Sequence, residues 1–188
     1  MASNSGPAPR VSAWRAVGRC VGKSFVMLAG RKVHLPREHV GRLLNFADGT
    51  TTRVYRETRV DVGPPVEPCV LVVSFKLRLI RGALHRLFEA ESVLNTPFFV
   101  GFPGFISKFW CAHDDNGVYR GLYEWDGQRR ARQYAAALWR VLELVSVPGS
   151  INYKVLPGLH RDDVLADPKR MQTGMESAGD WWRLVAQP

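Results

Sequence analysis

Lys108 and Trp110 stand in the run Phe105-Ile-Ser-Lys-Phe-Trp110, and Tyr123 and Glu124 stand in Val118-Tyr-Arg-Gly-Leu-Tyr-Glu-Trp125. Both runs are otherwise apolar and β-prone, so a lysine there is a charge offered to a core. A desolvated lysine loses its proton readily and becomes a usable base, and Glu124 is a carboxylate that could neutralise it. Strand alternation also brings forward Lys76 and Asn152 as polar side chains for a cavity, with Phe105 and Phe109 as apolar lining. Alternation leaves the third strand open. Tyr119, Gly121, Tyr123 and Trp125 share one face, and Val118, Arg120, Leu122 and Glu124 the other. The plainer alternative for each lysine is a solvated or salt-bridged side chain near a strand end.

Other chemistry-bearing residues group less well. His113 precedes Asp114 and Asp115 and suggests metal or acid–base work, but Asn116-Gly117 gives the same composition to an ordinary polar turn. His85, beside Leu84 and Leu87, is the histidine that a haem pocket would require. Cys20, Cys69 and Cys111 are odd in number and widely spaced, with no CxxC pair, which predicts buried apolar thiols and no metal site. The aromatic residues from Phe98 to Trp110 suit either a lid over a large apolar ligand or a packed interface.

The elements that position these groups follow from periodicity. Cys69 to Ile80 alternates as a strand, and Leu84, Leu87 and Phe88 mark a short amphipathic helix over 82–94. Two strands, 105–112 and 118–125, flank the turn His113 to Gly117. Asp126 is placed to cap a helix over 128–145, whose stripe includes Ala131, Tyr134, Ala135 and Leu138. Ser150 to Leu156 is a final strand. The order strand, helix, strand, strand, helix, strand predicts an α+β domain over 68–159, a ferredoxin-like βαββαβ unit with a four-stranded antiparallel sheet. Its free face would be covered by a second copy of the chain, a homodimer closing an α/β barrel.

The flanks are expected to be accessory. Residues 1–10 read as a disordered tail. Residues 11–67 read as a β-rich appendage and linker, with a brief helix near Pro36 and a β-hairpin about Asp48-Gly49. Residues 160–188 form a tail from which Trp181 and Trp182 dock on the core or a neighbour. The chain has 188 residues, 46% of them hydrophobic, enough for one core with an extension. Its +9 charge is spread without basic runs, which argues against nucleic acid. No stretch is long and apolar enough for a membrane span, and the first 19 residues lack a secretory pattern, so a cytoplasmic protein is expected.

At Pro103-Gly104-Phe105, Lys108 with Trp110, the Gly-aromatic strand 118–125 and Tyr134-Ala135, the sequence resembles the dimeric α/β-barrel superfamily. Within it the match is to the antibiotic-biosynthesis monooxygenases, and best to the YdhR-like monooxygenases, over residues 69–156. The resemblance implies a homodimer with a pocket between sheet and helices. It also implies a monooxygenase-like reaction on an apolar aromatic or polycyclic small molecule, with oxygen and no tightly held metal. Lys108 or Glu124 would manage a proton there, with Tyr123 and Trp110 positioning the ring. Non-catalytic ligand binding and haem binding or degradation are the alternatives; the haem-degrading members' Asn, Trp and His triad has no counterpart here.

Overall fold

A computed structural model describes residues 7–78, 92–171 and 180–186. In chain order these form α1 (Arg10–Ala29), β1 (Val33–His34), β2 (Leu43–Phe46), β3 (Thr51–Val60) and β4 (Pro68–Lys76). A short 3₁₀ helix (Ser92–Phe98) precedes β5 (Phe105–Cys111), β6 (Val118–Asp126), α2 (Gln128–Leu142) and β7 (Asn152–Pro157). The chain continues through α3 (Arg161–Ala166), a 3₁₀ turn (Pro168–Met171) and β8 (Leu184–Val185). The helix expected over 82–94, and His85 with it, falls mostly outside the described residues.

All strand pairs are antiparallel, in the order β7-β4-β6-β5-β3-β2-β8, with β1 also on β3. The α+β class holds, but the sheet has eight strands where four were expected. The difference lies in β3, which pairs across Asp48-Gly49 with β2 and also along β5. The segment 43–60 is therefore a continuation of the sheet and not an appendage beside it.

β4 shows what the rest of the chain must do. Every residue from Cys69 to Ser74 is buried, so both faces of the strand need a cover. On one face Cys69, Leu71, Val73, Phe105, Trp110, Tyr123, Trp125 and Tyr153 pack under α2 and the segment through Phe99. On the other, Val70, Val72, Phe109, Cys111, Leu122 and Leu156 meet Val164 and Leu165 of α3, Met171, Trp182 and Leu184. This second cover lies on the face where a second copy of the sheet was expected. The face reserved for another copy of the sheet is covered by the chain's own Val164, Leu165, Met171, Trp182 and Leu184, and Phe109 and Val72 are fully buried in the single chain.

Ending the chain after Gly158 removes that cover. The exposed patch would contain six apolar residues of one sheet face, a surface that drives association. The truncated protein is expected to dimerise or aggregate under conditions where the full chain does not. Light scattering on a sizing column checks this, and a stable truncated monomer would contradict it.

The largest departure from sequence expectation is α1. Residues 11–29 carry no large side chains on the face that packs, because that inner face is built from Ala13, Val17, Cys20 and Ser24. Two glycines, Gly18 and Gly22, further weaken the helix signal. Packing overrides that weakness. Ser24 Oγ donates to the Pro97 carbonyl at 2.8 Å and accepts the Gly101 amide at 2.9 Å, docking α1 on the loop before β5. A Cβ on Gly101 would stand 2.2 Å from the Cys20 carbonyl, so only glycine admits this approach.

Two smaller expectations are corrected. No helix forms near Pro36; the residues from Glu38 to Gly41 are turns. Asp126 does not cap α2, because β6 extends through it and Gly127, at φ 97°, occupies the cap position. Its carboxylate instead accepts the amides of Glu67 and Val66 and pairs with Arg130 at 2.7 Å. Those amides, with Arg130, hold its pKa below the ordinary carboxylate value.

Candidate functional site

Alternation along β5 and β6, read against the two covers, decides the face that the sequence left open. Tyr119, Tyr123 and Trp125 point to the helices, while Arg120, Leu122 and Glu124 point to the C-terminal segment. Lys108 pairs across the ladder with Tyr123 on one side and Thr58 on the other, so all three share the helix face with Trp110.

There the Lys108 amine is enclosed by aromatic rings. Nζ lies 3.1 Å from the centroid of Trp110, 4.6 Å from Phe99 and 4.8 Å from Tyr123. Trp110 Nε1–H donates to Thr58 Oγ1 at 3.0 Å, which fixes the indole plane against the amine. Tyr134 of α2 donates its hydroxyl to that of Tyr123 at 3.4 Å. Phe105 backs the cage by edge contacts with Phe99 and Trp125. No carboxylate and no hydrogen-bond acceptor reaches Nζ among the described residues.

Burial drives the Lys108 pKa well below its ordinary value, with the Arg56 guanidinium adding to the shift and Cys111 opposing it. The rings pull the other way, since a desolvated cation–π contact favours the ammonium by about 2 kcal/mol. Removing an ammonium from water costs several kcal/mol, so desolvation wins and the direction stands. Burial raises the pKa of both tyrosines, keeping their hydroxyls protonated. Burial disfavours the charged form of this amine; where it gives up its proton it can accept one from a bound group, and a neighbouring phenol can donate to the oxyanion that results.

The remaining candidates lie elsewhere. Glu124 cannot neutralise Lys108, because it projects from the opposite face. There its carboxylate meets His160 Nδ1 at 2.9 Å and Ser107 Oγ at 3.5 Å. Phe109 also faces that side, under the Arg161 guanidinium at 3.9 Å. Lys76 and Asn152 border a shallow cleft of about 240 Å³ with Trp181 and Arg120, apart from the cage. The structure thus brings together Lys108, Tyr123, Trp110 and Phe105, and separates Glu124, Phe109, Lys76 and Asn152 from them.

A second polar cluster had no sequence signal. Glu57, fully buried, pairs with Arg161 Nη2 and His39 Nδ1, each at 2.9 Å, and with Arg59 at 3.4 Å. Its members answer one another's charges, whereas among the described residues none answers Lys108. Cys20, Cys69 and Cys111 are free and buried, and burial pushes Cys69 up to about 11 and Cys111 up to about 12. They are poor nucleophiles. Among the described residues, no three His, Cys, Asp or Glu side chains converge as metal ligands.

A groove of about 570 Å³ runs between α1, α2 and residues 101–103. Ala13, Ala16, Ala136 and Ala137 form its floor, and Arg19, Lys23 and Arg130 its rim. Phe102, which lines it, packs 5.1 Å from the Tyr134 ring, one side chain away from the cage.

No protein-family model matches the chain, and no curated protein matches it. Two solved structures resemble parts of it. One is an anthrone oxidase-like protein, with 16% identity and a TM-score of 0.37, over 59% of this chain and 55% of that one. The chain therefore spans about half the length of that protein. The other is an uncharacterized ferredoxin fold protein related to antibiotic biosynthesis monooxygenases, from Listeria monocytogenes. It shares 14% identity at a TM-score of 0.41, over 68% of this chain and 92% of that one. The structural neighbours are thus monooxygenase-like over part of the chain, and likeness at this level decides neither reaction nor substrate. Among the described residues no helix is long and apolar enough to cross a membrane.

Proposed function

We propose that this protein is a small monooxygenase-like enzyme acting on an apolar aromatic or polycyclic substrate, with Lys108 as the base. The observation that carries this reading is the uncompensated amine, enclosed by Phe99, Trp110 and Tyr123 with no counter-charge among the described residues. A substrate methylene activated by a neighbouring carbonyl would give its proton to Nζ, leaving an enolate whose oxygen accepts hydrogen bonds from a phenol such as Tyr123. The enolate then reduces dioxygen. The CH₂ becomes a C=O carrying one oxygen atom, and the second leaves as water, which balances atoms and electrons with dioxygen as the oxidant.

Oxygen uptake with anthrone as probe tests the proposal, with anthraquinone formation followed optically. The protein is expected to accelerate uptake over buffer, and Lys108→Met to lower the enzymic rate about 100-fold or more, the usual contribution of a positioned base. Full activity in a folded Lys108→Met protein would remove Lys108 from the mechanism. Uptake no faster than buffer would instead favour a second reading, a ligand-binding protein. The groove between α1 and α2 supports that one, because its apolar floor has a cationic rim and no carboxylate.

A further inference from the structure

Among the described residues, α1 carries five exposed large apolar side chains, Val11, Trp14, Phe25, Val26 and Leu28. Val11, Trp14, Phe25 and Leu28, with Gly18 and the half-buried Val21 between them, recur at steps of three and four along one side. Phe25 is 61% exposed and Trp14 47%, although the inner side of the same helix is fully packed. Arg10 and Arg15, both exposed, flank this stripe, while Arg19 and Lys23 turn toward the groove against α2. Residues 1–37 contain seven Lys or Arg and no Asp or Glu, against a net charge of +9 for the whole chain.

We propose that the outer face of α1 docks the protein on the surface of an anionic phospholipid bilayer. An apolar stripe bearing Trp and Phe, with basic side chains alongside, lies in the interface plane, its rings among the acyl chains and its cations at the headgroups. Cations near a negative bilayer surface contribute about 1 kcal/mol each, so both features act together. Charge also separates this occupant from a second copy of the chain. A paired α1 would bring together two helices that each carry Arg10, Arg15, Arg19 and Lys23, with no carboxylate in either to answer them. The docking does not rest on the Lys108 chemistry.

Vesicle co-sedimentation with the full chain tests it. Binding is expected to vesicles of equal parts phosphatidylglycerol and phosphatidylcholine, and to fall about tenfold or more on phosphatidylcholine alone or in high salt. The double variant Trp14→Ser, Phe25→Ser alters only exposed side chains, so its thermal transition should match the parent while binding to the anionic vesicles is lost. A protein that ignores anionic vesicles would overturn the proposal, as would undiminished binding by the folded double variant. A solution dimer abolished by the same two substitutions would assign the stripe to a second copy instead.

Discussion

Replacing Arg161 by methionine is expected to destabilise the fold by about 3–5 kcal/mol, the cost of stripping one partner from a buried ion pair. Arg161 and Glu57 are both fully buried, and the guanidinium also lies over the Phe109 ring while binding the exposed Asp162. Without it the Glu57 carboxylate keeps only His39 and the longer contact to Arg59. The effect should centre on the C-terminal cover, since Arg161 begins α3 and fastens it to β3 through Glu57. Urea unfolding measures the loss, and limited proteolysis should show earlier cleavage after residue 160. The double variant with Glu57→Gln removes the orphaned charge and should recover more than half of the loss, because coupled partners are not additive. A single-variant cost below about 1 kcal/mol would mean that the cover is held by Val164, Leu165 and Trp182 alone.

What the sequence made legible and what it hid have different physical origins. The hairpin β5–β6 was readable because its alternation is strong and Asn116-Gly117 supplies the turn, with Gly117 at φ 72°. Lys108 was readable for the same reason, as a charge in phase with Trp110 on an otherwise apolar strand. The direction each strand face would look was not readable, because alternation divides residues into two sets without saying what covers either. Glu124 was therefore offered to Lys108 when it faces His160, a residue 36 positions later. The Glu57 cluster joins His39 and Arg161, which are too far apart in the chain for spacing to connect them. α1 was hidden because its buried face uses small residues, so its large apolar side chains mark the solvent side. The second cover was missed because its apolar groups, Val164, Leu165, Met171, Trp182 and Leu184, follow no period in the sequence.

Replacing Lys108 by methionine should stabilise the protein while removing its base. Burial opposes the charge of this amine in the native state, whereas the unfolded chain protonates it up to the ordinary lysine value of about 10.4. Between the depressed native value and that limit, the unfolded state binds one more proton than the native state. Wild-type stability therefore rises with pH there, by about 1.4 kcal/mol per unit. Methionine binds no proton in either state. The variant's advantage should thus be greatest toward the acid end of this window, shrink at the same slope as pH rises, and level off above about 10.4. Urea midpoints of both proteins across the neutral to alkaline range supply the comparison. A difference that does not change with pH, or a variant less stable at neutral pH, would show that the rings of Phe99, Trp110 and Tyr123 hold Lys108 as a cation. In that case the amine would have no free lone pair near pH 7 and could not take a substrate proton. The expected result has the opposite consequence: the amine would hold a free lone pair near pH 7, which the proposed role as a base requires.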